Sequence, residues 1–167
     1  MFTALNMPAA EFDAAEQSFV QNIRDHGWVR TTAIAEEGKP GFSFSTGFTK
    51  TTKGSELIIF SMDGDVAHDI FWSQYRRAEK GQAPSIGRRA EGVLSNLDVC
   101  FFPVAMRYFR DYLGWSRWFY RSDEFPCLQI VWPDPANLFP REPGFDPEFA
   151  PDQIDLTEHG WTGHLAP

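Results

Sequence analysis

Few residues in this chain combine the types and spacing that chemistry requires, and they fall into three clusters. The first is Phe44-Ser45-Thr46-Gly47-Phe48, where small hydroxyls beside a glycine let a backbone approach a ligand closely. The bland alternative is a strand with an exposed hydroxyl face. The second is Tyr108-x-Arg110-Asp111-Tyr112-x-x-Trp115. Ring faces beside a guanidinium suit an anionic or planar group. The same spacing also describes an amphipathic helix whose arginines snorkel to water. The third is Gln129-x-x-Trp132-Pro133-Asp134. A glutamine inside an apolar strand must satisfy its amide, from neighbouring backbone, a ligand or water. A pocket would draw on Phe44, Ser45, Arg110, Tyr112, Gln129 and Trp132, aromatic walls with a few convergent polar groups.

Other chemistries find little support. No glycine-rich phosphate loop follows a strand, and no G-x-S-x-G elbow is present. His159 and His164 are five apart in a glycine-flanked segment. That spacing places both on one metal only if the loop folds, so no metal site is expected. His26 precedes Gly27 at a helix end and reads as a dipole-compensating residue. His68 reads as a solvated histidine in the first turn of a helix. A flavin would suit the aromatic clusters but has no dedicated motif, so the sequence names no cofactor.

Helical spacing of Phe12, Ala15, Phe19 and Ile23 predicts a helix over 8–25, with Pro8 in its first turn and Gly27 as its stop. A second is expected from Asp63 as N-cap to Lys80, with Val66, Ile70, Phe71 and Tyr75 as its apolar face. A third runs over 106–121, whole or broken at Gly114. Strands are expected over 28–34, 42–48, 56–62, 93–104 and 125–132, with a polar turn at 49–54. The uninterrupted Leu57-Ile58-Ile59-Phe60 marks a central strand covered on both faces. The predicted class is α+β: a mixed, mainly antiparallel sheet of about five strands with about three packed helices. Seven of the twelve prolines lie in 133–167, and 134–167 holds seven acids against one base, Arg141. The expected organisation is therefore a single domain over 1–134 and an extended acidic wrap or tail over 135–167 belonging to it, with fraying past Phe149.

The chain has 167 residues, the size of one ordinary domain, and an aromatic content of 16%. Its net charge of −8 argues against a non-specific nucleic-acid grip or an electrostatic hold on anionic lipid. No apolar run approaches the 18 or so residues of a membrane span, and the N-terminus lacks the basic start of a signal peptide. Cytoplasm is the expected location. Cys100 and Cys127 each sit in apolar runs and read as core residues, with a cross-strand disulfide or a reactive thiol as the alternatives.

The order of several motifs resembles the bacterial domain-of-unknown-function family numbered 4262. That pattern has a Gly-Trp near the N-terminus, a Tyr-Thr-Val-Gly-Leu-like strand and a Pro-Glu-Leu strand start. A Tyr-Arg-Asp-Tyr-like helix, a Gln-x-x-Trp-Pro-Asp strand end and a Phe-Pro-Trp turn follow. The matching stretches are Gly27-Trp28, Phe44 to Phe48, Ser55-Glu56-Leu57, Tyr108 to Tyr112, Gln129 to Asp134 and Phe139-Pro140. Phe44, Ser55 and Arg141 depart from the pattern. The resemblance implies a shared fold and no particular reaction. Three functional classes follow: an acidic binding or interaction module of immunity, antitoxin or accessory type; a small-ligand binder or enzyme with an aromatic pocket for a planar or anionic group; and a purely structural role for the motifs.

Overall fold

The central strand forms where the apolar run places it. In the computed structural model, which describes residues 1–167, Glu56–Phe60 is β3 and every residue of it is buried. Around it lie β1 (Val29–Ala33), β2 (Phe42–Thr46), β4 (Arg89–Ala90), β5 (Val99–Pro103) and β6 (Cys127–Val131). They form one sheet in the order β1-β2-β3-β6-β5-β4. β3 and β6 are parallel; the other four pairings are antiparallel. The sheet is therefore mixed and mainly antiparallel. It has six strands, not five, because Arg89–Ala90 pairs with the start of β5. A charged two-residue strand has no periodicity to read.

The helices are α1 (Ala14–His26), α2 (Phe48–Thr52), α3 (Gly64–Glu79), α4 (Phe109–Tyr112) and α5 (Gly114–Tyr120), with short 3-10 turns between them. Five helices stand where about three were expected, because one is added and the third takes its broken form, and the first helix starts later than expected. The first helix begins at Ala14 because Asp13 and Glu16 form a reciprocal capping box, their carboxylates accepting each other's backbone N–H at 2.8 and 2.9 Å. Residues 9–11 make only a 3-10 turn. The polar stretch after β2 coils into α2, where Thr51 and Thr52 hydroxyls bond back to the Gly47 and Phe48 carbonyls. The third helix divides at Leu113, as the glycine at 114 suggested.

Alternation along β3 splits the core between the two faces of the sheet. Ile58 and Phe60 join Phe44 under α1, α4 and α5, with Phe19, Val20, Ile23, Phe109, Leu113 and Phe119. Leu57 and Ile59 join Leu128 and Ile130 on the other face, covered by Ile70, Phe71 and Tyr75 of α3. Val66, expected on that buried stripe, is 43% exposed; the stripe is Ala67, Ile70, Phe71, Gln74 and Tyr75. Cys100 and Cys127 are free and buried, on adjacent strands but out of register with each other. The strand expected over 93–104 shortens to Val99–Pro103, its first half being bends.

After Pro133 the chain returns across the sheet. Gln153 closes a reciprocal pair with the Trp132 backbone, at 3.0 and 2.8 Å, and Leu156 beyond it is fully buried. Asp134 anchors the turn that begins this return. Its carboxylate accepts N–H bonds from Ala136, Leu138 and Asp146 at 2.9–3.0 Å. The bond from Asp146, then those from Leu138 and Ala136, hold its carboxyl below the ordinary aspartate value of 3.8. A depressed folded value contributes stability that is present above 3.8 and lost as pH falls through the folded value. Asp134→Asn should therefore be less stable than the parent at neutral pH. The gap, measured by urea unfolding, should narrow as the pH drops below 3.8.

Candidate functional site

Titratable and aromatic side chains converge at the edge of the sheet, where β1 meets α3. Trp28 and Arg30 are two apart along the start of β1 and lean the same way. His68 and Trp72 are four apart on α3 and share one helix face. Asn22 and His26 repeat that spacing at the end of α1. Together with Val29, these six residues line a cleft of about 360 Å³.

The floor of the cleft is an aromatic stack. The His68 ring lies on Trp28 with centroids 5.0 Å apart and planes 28° apart. Trp72 lies 5.9 Å from Trp28 and 5.7 Å from Tyr75, nearly parallel to the latter. Phe48 and Phe71 meet Trp28 edge-on. Trp28 is only 3% exposed, and its indole Nε1–H has no hydrogen-bond partner. An unpaired buried donor of this kind costs about 1–3 kcal/mol. Arg30 donates from Nη1 to the Gly64 carbonyl at the start of α3. No carboxylate pairs with it: the chain's ion pairs involve Arg89, Arg107 and Arg117. The cleft thus gathers one unpaired guanidinium, two imidazoles, a carboxamide and two indoles. No hydroxyl, thiol or carboxylate lines it. That donor set suits holding an oxyanion beside a ring better than nucleophilic or paired-carboxylate catalysis.

A buried acid fixes this arrangement from below. Glu56, at the start of β3, is fully buried. Its Oε2 accepts the Ser45 hydroxyl at 2.6 Å, and its Oε1 accepts the Gly47 and Thr49 N–H groups at 3.0 and 3.2 Å and the Tyr120 hydroxyl. The hydroxyl protons have nowhere else to point, because Ser45 Oγ already accepts the Leu57 N–H and Tyr120 Oη the Lys50 N–H. Burial pushes the Glu56 carboxyl upward, and the bonds from Ser45, Tyr120, Thr49 and Gly47 pull against it. The Cys127 thiol is pushed well above its ordinary value by burial and then by the neighbouring Glu56 charge, so it is no nucleophile. Gly47, held by Glu56, takes φ +118° and sits against the backbone of Gly27 and Trp28. A Cβ there would lie 2.5 Å from the Gly27 carbonyl oxygen and 2.9 Å from the Trp28 Cα. Gly27 in turn takes φ +85°, and a Cβ on it would strike the Tyr75 hydroxyl. Two glycines thus let Glu56, through one loop, set the position of Trp28.

The six residues expected to form a pocket line none of the five clefts described by their walls, and their polar atoms go to different partners. Phe44 and Tyr112 share the core beneath α4, both against Phe42. Burial raises the Tyr112 phenol. Ser45 is a donor to Glu56. Arg110 is exposed and bonds to no other group. Gln129 donates to the Ile154 carbonyl at 2.7 Å and accepts from Leu156 N and Trp161 Nε1 at 3.2 and 3.3 Å. Trp132 donates its indole N–H to the Phe60 carbonyl at 2.9 Å. The residues that do converge were visible as spacing. Trp28 and Arg30 alternate after a helix-ending glycine, and His68 and Trp72 stand one helical turn apart. Read singly, His26 and His68 looked like caps and surface groups.

Residues 22–146 match the family model described as "Domain of unknown function (DUF4262)". The match spans every residue lining the cleft. No curated protein and no solved structure matches the chain. No helix is long and apolar enough to cross a membrane.

Glu56→Gln tests the support beneath the cleft. It sets an NH2 group against either the Ser45 hydroxyl or the Gly47 and Thr49 N–H pair. The expected loss is about 1–3 kcal/mol in urea unfolding, the cost of a buried donor left without an acceptor. Acrylamide quenching of tryptophan emission should rise with it, as Trp28 loosens.

Proposed function

The chain belongs to the DUF4262 family, and from the chemistry of its β1–α3 cleft we propose that it is a binding protein for a small anionic ligand carrying a planar group. The observation that carries this reading is the cleft's pair of donors: the half-buried Arg30 guanidinium, which bonds the Gly64 carbonyl but no carboxylate, and the buried Trp28 N–H without an acceptor. An acceptor oxygen in the cleft answers the guanidinium, and the sealed Trp28 N–H beside it is the unfavourable group of the free protein. The Trp72 face and the His68 ring supply stacking surface for a planar portion. The first turn of α3 adds the positive end of a helix dipole. The reading is one of binding rather than turnover, since the imidazoles have no lining carboxylate to orient them.

A role as an acidic interaction module rests on the net charge of −8, the proline-rich acidic C-terminal segment and the lack of a recognisable catalytic constellation. It names no surface, so it stands behind the ligand reading. The net charge of −8 argues against a non-specific grip on nucleic acid, which needs a cationic stripe.

Inorganic pyrophosphate serves as the probe, followed by calorimetry and by the histidine ring resonances. Saturable binding with shifts confined to His26 and His68 is expected. Arg30→Met should weaken it about tenfold or more, as loss of a charge-assisted hydrogen bond does. His68→Ala should weaken it as well. Histidine resonances that do not move at millimolar pyrophosphate, or binding that survives Arg30→Met unchanged, would refute the proposal.

A further inference from the structure

We propose a second binding site on the opposite flank of α3, for an amphipathic monocarboxylate whose head is held by Gln74 and Lys53. A cavity of about 540 Å³ lies between the C-terminal half of α3, the end of α2 and the first residues of β3. Its apolar wall is Phe48, Leu57, Leu128 and Ile86. The volume is that of an ordinary small-molecule site.

The observation that points to a ligand is Gln74. It occupies the buried stripe of α3, beside Ile70, Phe71 and Tyr75. Only 6% of it is exposed, it lines the cavity, and its amide makes no hydrogen bond within the chain while its polar atoms stay open to solvent. Buried amides are otherwise almost always paired. Gln129 and Gln153 show the contrast within this same molecule, since each is fully engaged with backbone. A hydrophobic residue would fill the Gln74 position at lower cost. An unpartnered amide there is retained when something else supplies the acceptor.

Lys53 gives the acceptor its sign. It lines the same cavity, at the end of α2, and forms no ion pair. An ammonium at the rim and an amide N–H within, above an apolar wall, complement a carboxylate on an apolar body. This site shares no lining residue with the β1–α3 cleft, so it stands or falls separately from the proposed function.

The test uses the whole chain with cis-parinarate, a fatty carboxylate without a ring, as fluorescent probe, and octanoate and 1-octanol as competitors. The expected result is one saturable probe site, displaced by octanoate. Ala78→Phe fills the cavity from α3 and Ala83→Trp fills it from the facing loop; either should abolish probe binding in a folded protein. Arg30→Met, in the other cleft, should leave it unchanged. Gln74→Leu should leave the melting temperature unchanged or raised, because the amide it removes makes no bond within the chain. It should also weaken octanoate about tenfold while sparing octanol, the effect of one charge-assisted hydrogen bond. A lowered melting temperature with unchanged octanoate binding would assign Gln74 a structural role and overturn the proposal. So would probe binding that persists in both filled variants, or no saturable binding at all.

Discussion

The arrangement of this protein depends on keeping one carboxylate out of water. Glu56 sits where the central strand begins, with its oxygens answered by two hydroxyls and two backbone N–H groups. An acid with fewer donors would be too costly to bury. The donors come from β2, from the turn into α2 and from α5, so satisfying the acid ties three elements together. The consequence reaches the sheet edge: the loop it holds abuts Gly27 and the backbone of Trp28. A buried ion pair would have required a second desolvated charge. Here neutral donors do the work, and both hydroxyls are themselves oriented by the backbone N–H groups they accept.

Helix α3 is the second organising element. One stripe of it covers the sheet, and its two flanks face different solvent clefts. His68 and Trp72 face the β1 side, whereas Gln74 and Ala78 face the β3–β6 side. Each flank carries a polar group without a partner in the chain: Trp28 Nε1, sealed from solvent, in one case, and the Gln74 amide, which lines the open cavity, in the other. Apart from Arg141 Nη1, buried polar groups elsewhere are answered, as Thr46 with Ser116 and Gln153 with Trp132 show. Local disagreement with an otherwise satisfied interior is where function is expected to sit.

The C-terminal segment explains a different polar residue. Gln129 lies in the middle of β6 and is wholly buried. Its amide bonds the returning chain at Ile154, Leu156 and Trp161. Trp132 and Asp134 serve the same return. The Gln-x-x-Trp-Pro-Asp run is therefore a fastening for the last thirty or so residues. Its polarity comes from holding backbone that makes no sheet.

The sequence by itself determined the α+β class, the central strand, the cap of α3 at Asp63 and the family to which the chain belongs. Those features are local: a continuous apolar run, a capping residue and an ordered set of short motifs need no knowledge of distant partners. It also picked out Ser45, Tyr112, Gln129 and Trp132 as polar or amphipathic residues out of keeping with simple packing. It could not say where their polar atoms go, because hydrogen-bond partners such as Glu56 for Ser45 or Ile154 for Gln129 lie 11 and 25 residues away. The two-residue strand β4 and the five-residue helix α2 were invisible for a related reason, since a neighbouring strand makes the one and a distant carboxylate caps the other. Only the tertiary structure decided that His26, Trp28, Arg30, His68 and Trp72 share a cleft. Spacing fixes the face of an element on which a side chain lies, while the packing of α1 and α3 against the edge of β1 decides which faces meet.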